Sequence, residues 1–90
     1  MAHLDLETHV VGPGAPVDGK TIGQMRMRRE HHVTVVGIRR GGEPLPDPDG
    51  DTRFEAGDVA VVLGAPEHLA RAASLFRPPD PATRWEGDRT

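Results

Sequence analysis

The chain has no cysteine and no tyrosine, and its aromatic residues are two phenylalanines and one tryptophan among 90 residues. Without cysteine, disulfide bonds and thiolate chemistry are excluded. No apolar run approaches the roughly 20 residues that a transmembrane helix needs. The N-terminal residues also lack the basic and then apolar pattern of a signal peptide. We therefore expect a cytoplasmic location.

Signatures of catalysis, nucleotide binding and metal binding are also missing. Ser74 is the only serine and falls within a predicted helix, away from any evident base. Glycine-rich phosphate loops and His-x-x-x-His pairs are absent. Four aspartates, Asp47, Asp49, Asp51 and Asp58, fit positions 1, 3, 5 and 12 of a calcium loop, but Thr52 stands where that loop requires glycine. The sequence thus favours a protein that is not an enzyme and holds no resident metal or cofactor.

Charge is distributed unevenly along the chain. The net charge of −3 disfavours general nucleic-acid binding, which depends on phosphate neutralisation. Five of the eleven basic residues nevertheless lie within fifteen positions: Arg26, Arg28, Arg29, Arg39 and Arg40. Because a guanidinium group matches phosphate oxygens, this cluster could hold a small anion; a solvated surface is the alternative.

Apolar spacing predicts the first half of the fold. The alternation from Leu4 to Glu7, extended by Val10 and Val11, predicts a half-buried strand. Thr21 and Gln24 form a capping-box pattern, which predicts a helix over 22–30. Residues 33–39 form the strongest predicted strand, which we place centrally because both of its faces are largely apolar. Regular alternation puts Val33, Val35 and Gly37 on one face and Thr34, Val36 and Ile38 on the other.

Turn residues organise the second half. Gly41 and Gly42 suit a hairpin turn with positive φ angles, and Pro44 and Pro46 restrict the return strand, 43–45, to an edge. The pattern then predicts a short extended piece at 52–54, a second strand over 59–63, and a helix that begins at Pro66. The order is β-α-β-β-β-α, an α+β domain with a mostly antiparallel sheet, over residues 1–76. The composition of residues 77–90, which include Trp85, predicts a disordered tail.

Five motifs in order resemble the C-terminal domain of RCK proteins, also called the TrkA-C domain. In this sequence they are Gly19 to Gly23, Val33 to Gly42, Pro46 to Pro48, Phe54 to Asp58, and Val59 to Gly64 with Pro66, Glu67 and Leu69. The resemblance covers roughly residues 4–76 and implies the same β-α-β-β-β-α fold. It also implies a homodimer that regulates a potassium transporter or a membrane cation/proton antiporter. Several family members bind cyclic di-AMP between two subunits.

The resemblance implies a set of ligand-binding residues. Arg28 matches the family's phosphate-binding arginine, Met25 and Met27 match its apolar neighbours, and Pro46 or Pro48 matches a proline beyond the hairpin. Thr34 stands where the family often has asparagine, and Glu43 lies where it has histidine. The remaining candidates are Arg29, which is next to Arg28, His31 or His32 in place of the family's histidine, and Ile38 as an apolar surface for adenine.

Two functions stay open at this stage. The first is a homodimeric regulatory subunit that senses cyclic di-AMP, with Arg28 as the main phosphate contact. The second is a dimeric assembly module, or a cation sensor that uses the loop from Asp47 to Asp58, without a nucleotide ligand.

Overall fold

The structure is a computed structural model that describes residues 3–80. Most of the predicted tail, including Trp85, lies outside this range, so the disorder of the tail stays a prediction. Eight elements follow one another along the chain: β1 (Asp5–Val10), α1 (Ile22–Met25), α2 (Met27–His31), β2 (Val33–Arg40), β3 (Glu43–Pro44), β4 (Val59–Gly64), α3 (Pro66–Ala72) and a 3-10 turn (Ala73–Phe76).

The four strands form one sheet in the order β1-β4-β2-β3, and all of the pairings are antiparallel. The predicted fold class is therefore confirmed. Gly41 and Gly42 have φ angles of 61° and 82°, as the predicted hairpin turn requires. β3 is a two-residue edge strand that pairs only with Arg39 and Arg40. The first half of β2 consequently has β4 on one side and no strand on the other among the described residues.

A β-bulge at Val36 corrects the predicted alternation of β2. Val35 pairs with Val62 and Gly37 with Val61, so Val36 is an extra residue in the ladder. An extra residue reverses which side chains face the core from that point on. As a result Val33 and Ile38, predicted on opposite faces, are both buried in the same core, with 1% exposure each.

The predicted single helix over 22–30 is instead two short helices. The capping box is present, since Gln24 donates its backbone N–H to Thr21 Oγ1 and the Thr21 N–H donates to Gln24 Oε1. Arg26 then breaks the helix with φ 47° and ψ 48°, a left-handed conformation that is uncommon for a residue with a side chain. This break turns α2 relative to α1, and Met27 at its start is buried in the core.

The core lies on one side of the sheet, between the strands and the helices. Its members are Val11, Val17, Met27, Val33, Ile38, Phe54, Ala60, Val62, Leu69, Ala72 and Phe76. Pro66 occupies the first turn of α3, as predicted, and Leu69 and Ala72 face the sheet. Within residues 3–80, no helix combines the length and the apolarity needed to cross a membrane.

β1 has its apolar side chains on the side opposite to the core. Leu4, Leu6 and Val10 are 56%, 62% and 62% exposed, whereas His9 points inward and stacks on Phe76 with 5.1 Å between ring centres. The strand was predicted correctly. Its side chains alternate as in a half-buried strand, but the apolar side chains lie on the exposed side of the sheet.

A buried ion pair joins β2 to the turn before β4. Asp58 is 1% exposed and accepts hydrogen bonds from Arg40 Nε at 2.8 Å, Arg40 Nη2 at 2.9 Å and the Glu55 N–H at 2.8 Å. Arg40 also donates to the Arg53 carbonyl at 2.8 Å. Burial opposes ionisation of Asp58, but the hydrogen bonds and the charge of Arg40 outweigh it, so the pKa of Asp58 lies below its usual value of 3.8.

This lowered pKa predicts a specific acid sensitivity. Ionised Asp58 contributes stability that is complete above the usual pKa and is lost as pH falls through the lower, folded-state pKa. We expect the difference in unfolding free energy between wild type and Asp58→Asn to be constant at neutral pH and to shrink below about pH 4. Urea titrations of both proteins from pH 7 to pH 2.5 measure it. A difference that does not change over this range would contradict the assignment.

Candidate functional site

A cleft of about 550 Å³ opens beside the unpaired first half of β2. It lies between the helical pair α1 and α2 and the loop that follows β3. Its lining residues are Ile22, Gly23, Arg26, Met27, Arg28, Arg29, Thr34, Val35, Pro48, Asp49 and Gly50. This volume is in the range of sites that take small organic ligands, roughly 300–1,000 Å³.

Backbone hydrogen bonds fix the two walls of the cleft to each other. The N–H groups of Ile22 and Gly23 donate to the carbonyls of Thr52 and Gly50, each at 2.9 Å. A Cβ on Gly23 would lie 3.0 Å from the Gly50 carbonyl oxygen, so any larger residue would push the two segments apart by a few tenths of an ångström. Asp49 shapes the loop itself, because its Oδ1 accepts from the Asp51 N–H at 2.9 Å. The site is therefore pre-formed in its backbone.

The cleft is positively charged. Arg26, Arg28 and Arg29 are exposed, and none of the three guanidinium groups forms an ion pair within residues 3–80. The acidic group on the lining is Asp49, whose carboxylate is occupied with the loop. Three unpaired guanidinium groups against one carboxylate favour an anion, and the apolar side chains of Ile22, Val35 and Pro48 offer contact for a flat ring.

The structure brings together four of the nine residues predicted as ligand contacts: Met27, Arg28, Arg29 and Thr34. Met27 is almost completely buried, with 3% exposure, so it forms part of the floor. Met25, His31, His32 and Pro46 are not among the residues that line the cleft, whereas Pro48, the alternative proline, is.

The structure contradicts the prediction that Ile38 contacts the ligand. It was expected to pack against adenine, but it is 1% exposed and belongs to the core, because the bulge at Val36 turns it inward. Val35, on the near side of the bulge, lines the cleft instead.

Sequence reasoning missed Arg26 as a cleft residue and the loop from Pro48 to Gly50 as a wall. Arg26 belongs to the basic cluster noted above, which was the available signal. Its left-handed backbone, which carries it to the cleft, leaves no mark in the sequence. The loop reaches the cleft through contacts with a distant segment, and the Pro-Asp-Gly sequence itself indicates only a turn.

The four aspartates that the cation-sensing alternative requires are not all available as ligands. Asp58 is held by Arg40 and is unavailable to a cation shared with Asp47, Asp49 and Asp51. Over residues 3–80, no group of three or more histidine, aspartate or glutamate side chains is placed to hold a metal ion.

Two proteins similar in sequence are named for potassium transport systems. The K(+)/H(+) antiporter subunit KhtT of Bacillus subtilis is 35% identical over 79 residues, which cover 84% of this chain and 48% of that protein. The Ktr system potassium uptake protein A of Vibrio alginolyticus is 32% identical over 74 residues, covering 72% of this chain and 34% of that protein. The chain thus spans half or less of the length of these relatives.

The fold also matches a solved domain. The RCK_C domain dimer of S. agalactiae BusR, in complex with c-di-AMP, superposes with a TM-score of 0.71 at 24% identity, over 79% of this chain and 93% of that chain. The sequence model of the TrkA-C domain matches residues 6–77, which is most of the chain. The chain therefore belongs to the TrkA-C, or RCK_C, domain family.

Proposed function

We propose that this domain is a ligand-sensing regulatory module of a potassium or cation/proton transport system, and that its effector is cyclic di-AMP held between two copies of the chain. The observation that carries the proposal is the pre-formed cleft in which Arg26, Arg28 and Arg29 stand unpaired beside apolar side chains. Such a site suits a ligand that combines a phosphate with a flat base.

The symmetry of the ligand supports a two-fold site. Cyclic di-AMP has two identical halves, each with one phosphate and one adenine, and a two-fold dimer axis presents two identical clefts. Each chain then supplies guanidinium groups to one phosphate and apolar contacts to one base. The BusR domain with the same fold was solved as a dimer with this compound, which makes it the first ligand to test.

Ligand binding can regulate the domain because it is linked to other equilibria, namely dimerisation and the choice between conformational states. A ligand that binds the dimer and not the separated chains stabilises the dimer by mass action. It changes the activity of a membrane transporter only if it binds one transporter-relevant state of the domain better than another. The named transport systems of the two relatives make a membrane-bound cation transporter the expected partner. We propose that the domain lies on its cytoplasmic side. The expectation that nucleic acid is not a partner stays a prediction.

Isothermal titration calorimetry of the purified chain with cyclic di-AMP tests the proposal, with ATP and AMP as controls. We expect saturable binding at one ligand per two chains and little heat from either control, because neither control has two-fold symmetry. An absence of heat and of any rise in melting temperature, for a folded protein, would exclude cyclic di-AMP as the effector. Saturation at one ligand per chain would contradict the shared site.

A further inference from the structure

Two histidine rings from different elements meet between α2 and α3. His32 follows the last residue of α2 and His68 lies in the first turn of α3, and their ring centres are 5.0 Å apart with 37° between the ring planes. His68 is half-buried and His32 is exposed. Across residues 3–80, neither ring takes part in a hydrogen bond or in an ion pair with a carboxylate. The pair therefore offers ring nitrogens that the fold itself does not use.

Backbone contacts hold the two rings in this arrangement. His32 has φ 60° and ψ 30°, a left-handed conformation that is uncommon for a residue with a side chain, and its N–H donates to the Met27 carbonyl. Gly64 packs closely against this turn, because a Cβ there would lie 2.9 Å from Val33 Cγ1 and 3.4 Å from the His32 carbonyl oxygen. α3 begins two residues after Gly64, so the same close approach fixes the start of the helix that carries His68.

The spacing of the rings matches that of two histidines on one metal ion. A metal–nitrogen distance of about 2.05 Å, about 1.1 Å more to each ring centre and an angle of about 109° at the ion put the two ring centres roughly 5 Å apart. The observed separation is 5.0 Å. Neutral imidazole is a ligand that suits zinc, copper and nickel. Packing of two rings without a metal is the alternative explanation of the contact.

We propose that His32 and His68 together bind one divalent transition-metal ion such as Zn²⁺, with water in the remaining coordination positions. Resident zinc sites use three or four protein ligands, and no such group exists over residues 3–80, so the ion should exchange readily with the solution. Because the ion joins the end of α2 to α3, its binding should stabilise the folded chain. The site is separate from the cleft, whose lining includes neither histidine.

Nitrogen–proton correlation spectra of the imidazole rings identify the ligands directly, in an untagged chain at neutral pH titrated with zinc chloride. We expect the signals of His32 and His68 to shift together, to saturate with one dissociation constant and to return on addition of EDTA. His32→Asn and His68→Asn should each weaken zinc binding at least about tenfold. Asparagine tolerates the left-handed backbone at position 32, so the first variant should keep the fold. His31→Asn is the matched control, because this neighbouring ring is outside the contact, and its zinc affinity should be that of wild type.

Thermal unfolding with and without zinc gives a second measurement. Zinc should raise the melting temperature of wild type and of His31→Asn, and should leave those of His32→Asn and His68→Asn nearly unchanged. If neither ring signal shifts up to about 1 mM zinc, the proposal is overturned and the pair is a packing contact. Similar shifts at all five histidines, or an equal loss of affinity in His31→Asn, would also overturn it, since the metal would then bind without a defined site. Because neither histidine lines the cleft, the result does not depend on whether the chain binds cyclic di-AMP.

Discussion

Replacing Asp58 with alanine is expected to lower the free energy of unfolding by about 3 kcal/mol, the lower end of the 3–5 kcal/mol typical of a broken buried ion pair. The carboxylate is 1% exposed and accepts three hydrogen bonds, two from Arg40 and one from the Glu55 backbone. Arg40 is 34% exposed and keeps its bond to the Arg53 carbonyl, so water can replace part of what it loses. Against a total stability of about 5–15 kcal/mol, the loss is large.

Urea unfolding at pH 7 and one fixed protein concentration measures this loss, since the proposed dimerisation would make stability depend on concentration. Asp51→Ala is the matched control, because Asp51 is an exposed aspartate in the neighbouring loop, and it should change the free energy of unfolding by less than about 0.5 kcal/mol. Arg40→Met combined with Asp58→Ala should cost less than the sum of the single changes, because the two groups interact directly. Additive costs would show that the pair does not interact as the structure indicates.

The elements that the sequence predicted correctly are those with a local signal. Gly41 and Gly42 specify their own turn, Thr21 and Gln24 specify their own helix start, and the apolar residues from 59 to 63 read as a strand in any context. The order of these elements then leaves few topologies for a small antiparallel sheet. The fold class could therefore be predicted without any knowledge of contacts between distant residues.

The departures all depend on contacts or conformations that carry no local signal. The bulge at Val36 lies within a run of apolar residues. In such a run the sequence pattern looks the same whichever face of the sheet each side chain points to, so it does not reveal the bulge. The left-handed backbone of Arg26 occurs at a residue type that gives no indication of it. Asp58 resembled a calcium ligand by its spacing, and only its meeting with Arg40 across the fold shows its structural role.

The candidate site was predicted in part for the same reason. The family resemblance implied Arg28, Arg29 and Thr34, and these residues lie close together in sequence on α2 and β2, so the elements themselves bring them to one cleft. Ile38 failed because its orientation depended on the bulge. The wall formed by Pro48, Asp49 and Gly50 depends on hydrogen bonds to α1 from a segment far along the chain. The alternation along β1 does not reveal which of its sides faces the core, because contacts with distant parts of the chain decide it.

Replacing Arg28 with alanine is expected to weaken cyclic di-AMP binding about 100-fold. A charge-assisted hydrogen bond contributes roughly 1.5 kcal/mol or more, and a two-fold site loses one such contact from each chain. The sum of about 3 kcal/mol corresponds to about two powers of ten in the dissociation constant. Because Arg28 is exposed and forms no ion pair within residues 3–80, its removal should leave the melting temperature of the unliganded protein nearly unchanged.

Calorimetry of three variants separates the possible causes of such a loss. Arg28→Lys keeps the charge but loses the planar fork, so it should recover part of the affinity and no more. Arg71→Ala removes the same charge from an exposed position on α3 that does not line the cleft, and its affinity should stay within about twofold of wild type. An equal loss in Arg71→Ala and Arg28→Ala would mean that the ligand responds to the overall charge of the domain. Unchanged affinity in Arg28→Ala would remove this residue from the site and shift the phosphate contact to Arg26 or Arg29, the other two guanidinium groups of the cleft.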